Sequence, residues 1–196
     1  MKSERIYDQK PNYSSPDIFF ELNKSQAKTY GTELYKKLKL TKTEIKSLKK
    51  YRHSSDKINK AVRENKDSKD IYNISNVIQR AVVDKNIVVY RESHINFLKT
   101  NGTTIEKVKV GDLLIEDGFM STFLYRPKMV FKGKVRLKIK VPMGTHGAYI
   151  NNVTRCHRWE YEMLFDRGMR LRVVNKYFDN KRNLLLEVVC EDKAES

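Results

Sequence analysis

Trp159-Glu160-Tyr161-Glu162-Met163-Leu164-Phe165 sets two carboxylates two residues apart on a run that turns apolar as it proceeds. An extended chain has a side-chain period of two, so this reading points Glu160 and Glu162 to one side and Met163 and Phe165 to the other, into the protein. Two carboxylates held on one face beside a buried strand form a candidate acid/base or cation-stabilising pair. Glu-x-Glu on an exposed strand can equally serve solubility, so the pair gains meaning only from its surroundings.

Those surroundings are strand-like. Val135, Leu137, Ile139 and Val141 alternate with Arg136, Lys138 and Lys140, the pattern of a half-buried strand. Residues 87–90, 149–150, 171–174 and 184–189 add β-rich runs, separated by Gly, Asn and Asp turns. The N-terminal part reads differently. Residues 1–17, with Pro11 and Pro16, read as an irregular arm. Leu34, Leu38, Ile45 and Leu48 recur at helical spacing, and Thr41-Lys42-Thr43-Glu44 is a capping box that starts a helix. After a turn at Ser54-Ser55-Asp56, Ile58, Ala61 and Val62 mark a short helix. The clearest amphipathic stripe is Ile71, Ile74, Val77, Ile78, Ala81 and Val82, ending near Asp84. Helices followed by strands predict an α+β fold with a mainly antiparallel sheet. One domain then spans 18–196, helical to about 84 and sheet from about 86.

The 196 residues carry a formal net charge of +16, which favours an acidic partner: nucleic acid, an anionic surface, an acidic protein or a phosphorylated molecule. Nucleic-acid binding rests on this charge alone, since no nucleic-acid motif is present. Cys156 and Cys190 form no CxxC, and neither they nor His53, His94 and His146 have metal-ligand spacing. No apolar run approaches the roughly 20 residues of a membrane helix. Met1-Lys2-Ser3-Glu4-Arg5 lacks the apolar core of a secretory signal.

Three short pieces line up in order: Val89-Tyr90-Arg91, then Gly118-Phe119-Met120-Ser121-Thr122, then Glu160-Tyr161-Glu162. This order resembles the Arg, Ser-Thr-Ser and Glu-x-Glu set of bacterial exoenzyme-type mono-ADP-ribosyltransferases. Leu40 to Tyr51, Ile58-Asn59 and Arg63 are similar to that family's helical lead-in. Val110-Gly111-Asp112, Val141-Pro142-Met143-Gly144-Thr145 and Gly147-Ala148-Tyr149-Ile150 resemble its connecting segments, so the likeness runs from about residue 22 to residue 175.

The resemblance implies a fold of N-terminal helices packed on two antiparallel sheets that form a cleft for NAD+, with no metal. It implies transfer of ADP-ribose after the nicotinamide–ribose bond breaks through an oxocarbenium-like state. Arg91 is then the diphosphate ligand, with Arg63 as helper and Asn59 beside it, because a guanidinium forks onto phosphate oxygens. Glu162 is the catalytic carboxylate, Ser121 the hydroxyl that fixes it, and Thr122 supports the strand or the ribose. Glu160 implies an arginine acceptor, since Gln at that place accompanies asparagine in this family. His157 and Trp159 fall on the loop expected to meet the acceptor.

Some positions depart from the pattern. Phe123 replaces the third hydroxyl. Phe131-Lys132-Gly133-Lys134 best fits the aromatic-and-arginine segment, with Lys134 in place of arginine and Tyr125-Arg126 as a rival. Glu92 follows Arg91 where a glycine or second arginine is usual, bringing a carboxylate to the cofactor entrance unless it turns outward. The expected protein is a monomeric toxin or effector, exported by a non-classical route and acting in a host cytosol. Its expected partner is an acidic host protein, with actin first. A Rho-type small GTPase is the alternative, suggested by single basic domains of this size, although those enzymes carry Gln where Glu160 stands. A phage enzyme acting on host transcription or translation proteins also fits, as does a catalytically inactive binding module.

Overall fold

The computed structural model describes residues 18–126, 135–154, 160–179 and 183–191. Three helices come first: α1 (Lys24–Lys37), α2 (Lys42–Arg63) and α3 (Lys69–Gln79). The Thr41 capping box is present, with the hydroxyl accepting from the Glu44 backbone and the Glu44 carboxylate accepting from Thr41 N–H at 2.8 Å. A second capping box, Asn23 with Gln26, starts α1. The expected turn at Ser54 is a kink inside α2, where Ser54 leaves helical geometry at φ −147° and ψ 41° while the helix continues to Arg63.

The α3 stripe ends earlier than its periodicity predicts. Residues beyond Arg80 are drawn into pairing with the turn before β5: Val83 N–H donates to Thr145 O and Gly147 N–H to Ala81 O. Tertiary backbone pairing outweighs the apolar spacing that Ala81 and Val82 continue.

Eight strands follow: β1 (Ile87–Ser93), β2 (Leu113–Glu116), β3 (Met120–Phe123), β4 (Val135–Val141), β5 (Gly147–Tyr149), β6 (Glu162–Phe165), β7 (Met169–Phe178) and β8 (Leu184–Glu191). A one-turn helix α4 (Asn96–Thr100), unmarked by any sequence signal noted above, interrupts them. The strands form one hydrogen-bonded surface in the order β2-β7-β8-β4-β1-β3-β6-β5. Two wings meet at the β1–β3 step, whose register is the pair Tyr90↔Phe123. The expected pair of antiparallel sheets therefore appears as two joined wings, and the β4–β8 pairing is parallel.

Two cores flank this surface; the large wing contributes to the first alone and the small wing to both. The first gathers Val89, Leu137, Ile139, Val173 and Val188 from the large wing with Met120, Met163 and Phe165 from the small one. The second packs Leu48, Tyr51, Ile74 and Ile78 of the helices on Phe119, Ala148, Ile150 and Leu164. Alternation along β6 divides it between them, so all four of its residues are buried. Gly31 lets α1 close on this scaffold: a Cβ there would lie 2.3 Å from the Tyr149 ring. No helix among the described residues is long and apolar enough to cross a membrane.

Candidate active site

Arg91 leaves β1 toward the β2–β3 turn, where its Nη2 lies 2.8 Å from Glu116 Oε2 and its Nη1 donates to Ser121 O at 2.9 Å. Arg63, at the end of α2, reaches the other oxygen of the same carboxylate at 2.7 Å. Gly118 N–H also donates to that oxygen, at 3.0 Å. Glu116 is 3 % exposed and thus holds two guanidiniums from opposite sides. One carboxylate against two guanidiniums leaves a single excess positive charge, and Arg91 Nε is buried with no acceptor among the described residues. Such a cluster suits an anionic ligand with several oxygens. Gly118 is needed for the closeness, because a Cβ there would stand 2.8 Å from Arg63 Nη2 and 3.1 Å from Asn59.

Asn59 joins this cluster through the backbone. Its amide donates to Phe119 O at 3.2 Å and its carbonyl accepts from Phe119 N–H at 2.9 Å, so α2 clamps the start of β3. Thr122 likewise supports the strands, donating to Met163 O across the β3–β6 pair at 3.1 Å.

The second cluster has the opposite balance. Ser121 Oγ donates to Glu162 Oε1 at 2.6 Å. Arg52, from α2, brings Nε within 3.2 Å of Glu162 Oε2 and Nη2 within 3.1 Å of Glu160 Oε2. Its Nη1 donates to Asn151 O at 2.8 Å. The Arg52 side chain is only 2 % exposed. Burial pushes the Glu162 carboxyl up to about 7; the Arg52 guanidinium and the Ser121 hydroxyl oppose that rise, and the Glu160 charge adds to it. With Glu162 ionised, two carboxylates share one guanidinium among the described residues, an excess of one negative charge.

The extended reading holds for Glu162–Phe165 and is corrected at Glu160 and Tyr161. Strand β6 starts only at Glu162, Glu160 has a 3₁₀-helical and not an extended backbone, and Tyr161 takes a left-handed backbone at φ 47°. A β-strand cannot continue through that conformation, which is costly for a bulky residue. Leu124 N–H donates to Tyr161 O at 3.2 Å, and the Tyr161 ring meets Tyr125 edge-on with centroids 5.2 Å apart. The two carboxylates converge because the turn carries Glu160 back to Arg52, not because a strand points them alike.

Glu92 does not belong to either cluster. It stands opposite Arg136 across the β1–β4 ladder, 3.7 Å from its Nε, and strand alternation puts it on the other face from Arg91. Phe123 is 9 % exposed and lies directly across from Glu162 in the β3–β6 register. An aromatic at that place adds to the apolar surroundings of the carboxylate. Phe131, Lys134, His157 and Trp159 lie outside the described residues.

Three residues escaped the sequence reading: Arg52, Glu116 and Asn151. A signal for two of them existed. Leu48, Tyr51 and Arg52 stand at i, i+3 and i+4, so Arg52 is a charge on the buried stripe of α2. Leu114 and Glu116 share a face of β2 by period two, which makes Glu116 a carboxylate on a buried face. A charged side chain on an apolar stripe calls for a partner.

The ADP-ribosyltransferase exoenzyme family model matches residues 27–192. The chain belongs to that family. Among curated relatives, the mono-ADP-ribosyltransferase C3 of Clostridium botulinum D phage is 28 % identical over 170 residues, covering 74 % of this chain and 67 % of the relative. Among solved structures, the Clostridium limosum C3 exoenzyme superposes with a TM-score of 0.78 at 21 % identity, covering 90 % of this chain and 98 % of the other. C3stau2 from S. aureus with NAD gives 0.76 at 22 % identity, covering 91 % and 100 %. BECa, from a binary enterotoxin of C. perfringens and solved with NADH, gives 0.74 at 23 %, covering 89 % of this chain and 50 % of that one. At these identities the structural likeness establishes the exoenzyme fold.

Proposed function

We propose that this exoenzyme-family chain is an NAD+-dependent mono-ADP-ribosyltransferase that modifies an arginine of a target protein. The observation that carries the reading is the buried Ser121–Glu162–Arg52–Glu160 network, which couples a fixed carboxylate to a second one two residues earlier. Arg91 and Arg63 take the diphosphate of NAD+, where their excess positive charge is useful. Nicotinamide leaves with the electron pair of its bond to ribose C1′. Glu162, ionised, faces the cation that develops on the sugar and stabilises it. An arginine nitrogen of the acceptor then forms the bond to C1′, and Glu160 orients that guanidinium and receives its proton. Water in place of the acceptor gives NAD+ hydrolysis.

The formal net charge of +16 supports an acidic acceptor, for which actin is the first test. A Rho-type GTPase is the second, because the chain matches nearly the full length of C3 exoenzymes but half of the binary-toxin component. Action in the cytosol of a host cell is part of the same proposal. Purified protein is incubated with labelled NAD+ and, separately, actin and a Rho-type GTPase, beside Glu162→Gln. Label on one of them, absent with the variant and removed by an arginine-specific ADP-ribosylhydrolase, is the expected result. Label that resists that hydrolase refutes the arginine acceptor; no label and no nicotinamide release refute the enzyme.

A further inference from the structure

Arg52 sits where neither the sequence motifs nor the proposed chemistry requires an arginine, yet it is the most enclosed charge of the site. Its side chain is 2 % exposed, against 43 % for Arg63 and 15 % for Arg91. Among the described residues its guanidinium meets the carboxylate pair and the residue that closes the loop behind it: Glu162 through Nε, Glu160 through Nη2, and the Asn151 carbonyl and side chain through Nη1. Asn151 in turn lies on the short turn Asn151–Val153 that follows β5, the strand paired with β6. Arg52 therefore bolts α2, the β5 turn, Glu160 and Glu162 into one unit.

We propose that Arg52 is a positioning residue for the transfer reaction: its guanidinium is the internal counter-ion that keeps Glu162 ionised and that fixes Glu160 in register with it. This rests on Glu162 being the catalytic carboxylate. A carboxylate this enclosed pays a large desolvation cost for its charge, and a second carboxylate beside it raises that cost. Glu162 faces Arg52 and Tyr51 from α2, Ser121 from β3 and Glu160 from its own loop; Arg91 of β1 and Glu116 of β2 are charges that act on Tyr51. Arg52 is the cation that offsets burial in this set, and the Ser121 hydroxyl is the neutral donor beside it. The fork matters as well as the charge. Nε and Nη2 of one planar group reach two different carboxylates, a geometry the single ammonium of lysine cannot reproduce.

Two variants separate charge from shape. Arg52→Gln removes both; Arg52→Lys keeps a cation and loses the fork. Nicotinamide release from NAD+ is followed against pH for wild type, Arg52→Lys, Arg52→Gln and Glu162→Gln. In parallel, the carboxyl resonance of Glu162 is titrated in 13C-Glu-labelled protein and assigned by its absence in Glu162→Gln. In Arg52→Gln, both the midpoint of that resonance and the acid limb of hydrolysis should move up by about one pH unit or more, a tenfold loss of the ionised fraction on the acid side. In Arg52→Lys the midpoint should stay near that of wild type, while transfer to an arginine acceptor falls several-fold more than hydrolysis. A midpoint unmoved in Arg52→Gln overturns the proposal, as does Arg52→Lys moving the midpoint as far as Arg52→Gln. Should Arg52→Gln not fold, the lysine variant decides alone: transfer and hydrolysis changed in equal proportion overturn the proposal. A shifted resonance in a protein whose wild type releases no nicotinamide would instead refute the catalytic role of Glu162.

Discussion

The two arginine clusters are built from the same groups in inverse proportion. At the β2–β3 turn, Arg63 and Arg91 share Glu116; at the start of β6, Glu160 and Glu162 share Arg52. The first leaves a positive excess and the second, with Glu162 ionised, a negative one. Each carboxylate or guanidinium at the centre of its cluster pre-aligns the two groups around it, which lowers the ordering cost when ligand arrives. The ligand implied by this polarity has a negative middle and a reacting end that becomes positive, as NAD+ does when nicotinamide departs. Burial differs too. The positive cluster reaches solvent through Arg63, whereas the negative one is closed around Arg52, so the first suits binding and the second a charge that exists only in the transition state.

That contrast breaks hardest at Glu162. Glu162→Gln should lower kcat for nicotinamide release by about 10²–10³-fold or more with little change in KM, because it removes charge stabilisation that the substrate does not use in its ground state. Steady-state kinetics with a thermal-unfolding control check it. Glu160→Gln comes next: transfer to arginine should drop by about 10²-fold, the size of a general-base contribution, while hydrolysis falls only a few-fold. Counting both products in one reaction measures the split.

On the positive side, Arg91→Lys should raise KM for NAD+ by about tenfold and leave kcat within a few-fold, since the fork onto phosphate is lost but not the charge. Glu116→Gln should do the same more weakly and also destabilise the fold by about 1–3 kcal/mol, because two guanidiniums lose their shared charged acceptor. A kinetic effect of similar size comes from protons. Glu162 must be ionised to act, and burial raises its carboxyl to about 7, so hydrolysis should fall about tenfold between pH 8 and pH 6. The stability sign is opposite. A carboxyl raised above its unfolded value contributes stability that is full below about 4.5 and is lost as pH rises through about 7, so Glu162→Gln should flatten this part of the stability–pH curve.

Much of this was legible in the chain. The alternation of 135–141 and the Thr41 capping box gave strand and helix where they occur, because both signals are local. The Ser121–Glu162 bond was implied by the family resemblance, and β3 and β6 pair in the register that brings the two together. The end of α3 was lost to pairing between Val83 and Thr145, which no local pattern reports. The turn at Tyr161 was lost because its side chain reads as strand while its backbone is left-handed. Arg52 and Glu116 were hidden for another reason. A charge on an apolar stripe signals that a partner exists, but the partner is set by tertiary packing and no local pattern names it.

The account stands or falls on the division of labour between the two clusters, so the most direct test is a paired kinetic measurement of nicotinamide release by Glu162→Gln and Arg91→Lys across NAD+ concentration. The expected result is a loss confined to kcat in the first and an increase confined mainly to KM in the second. Equal changes in kcat and KM for both variants would contradict it, showing that the two clusters act as one.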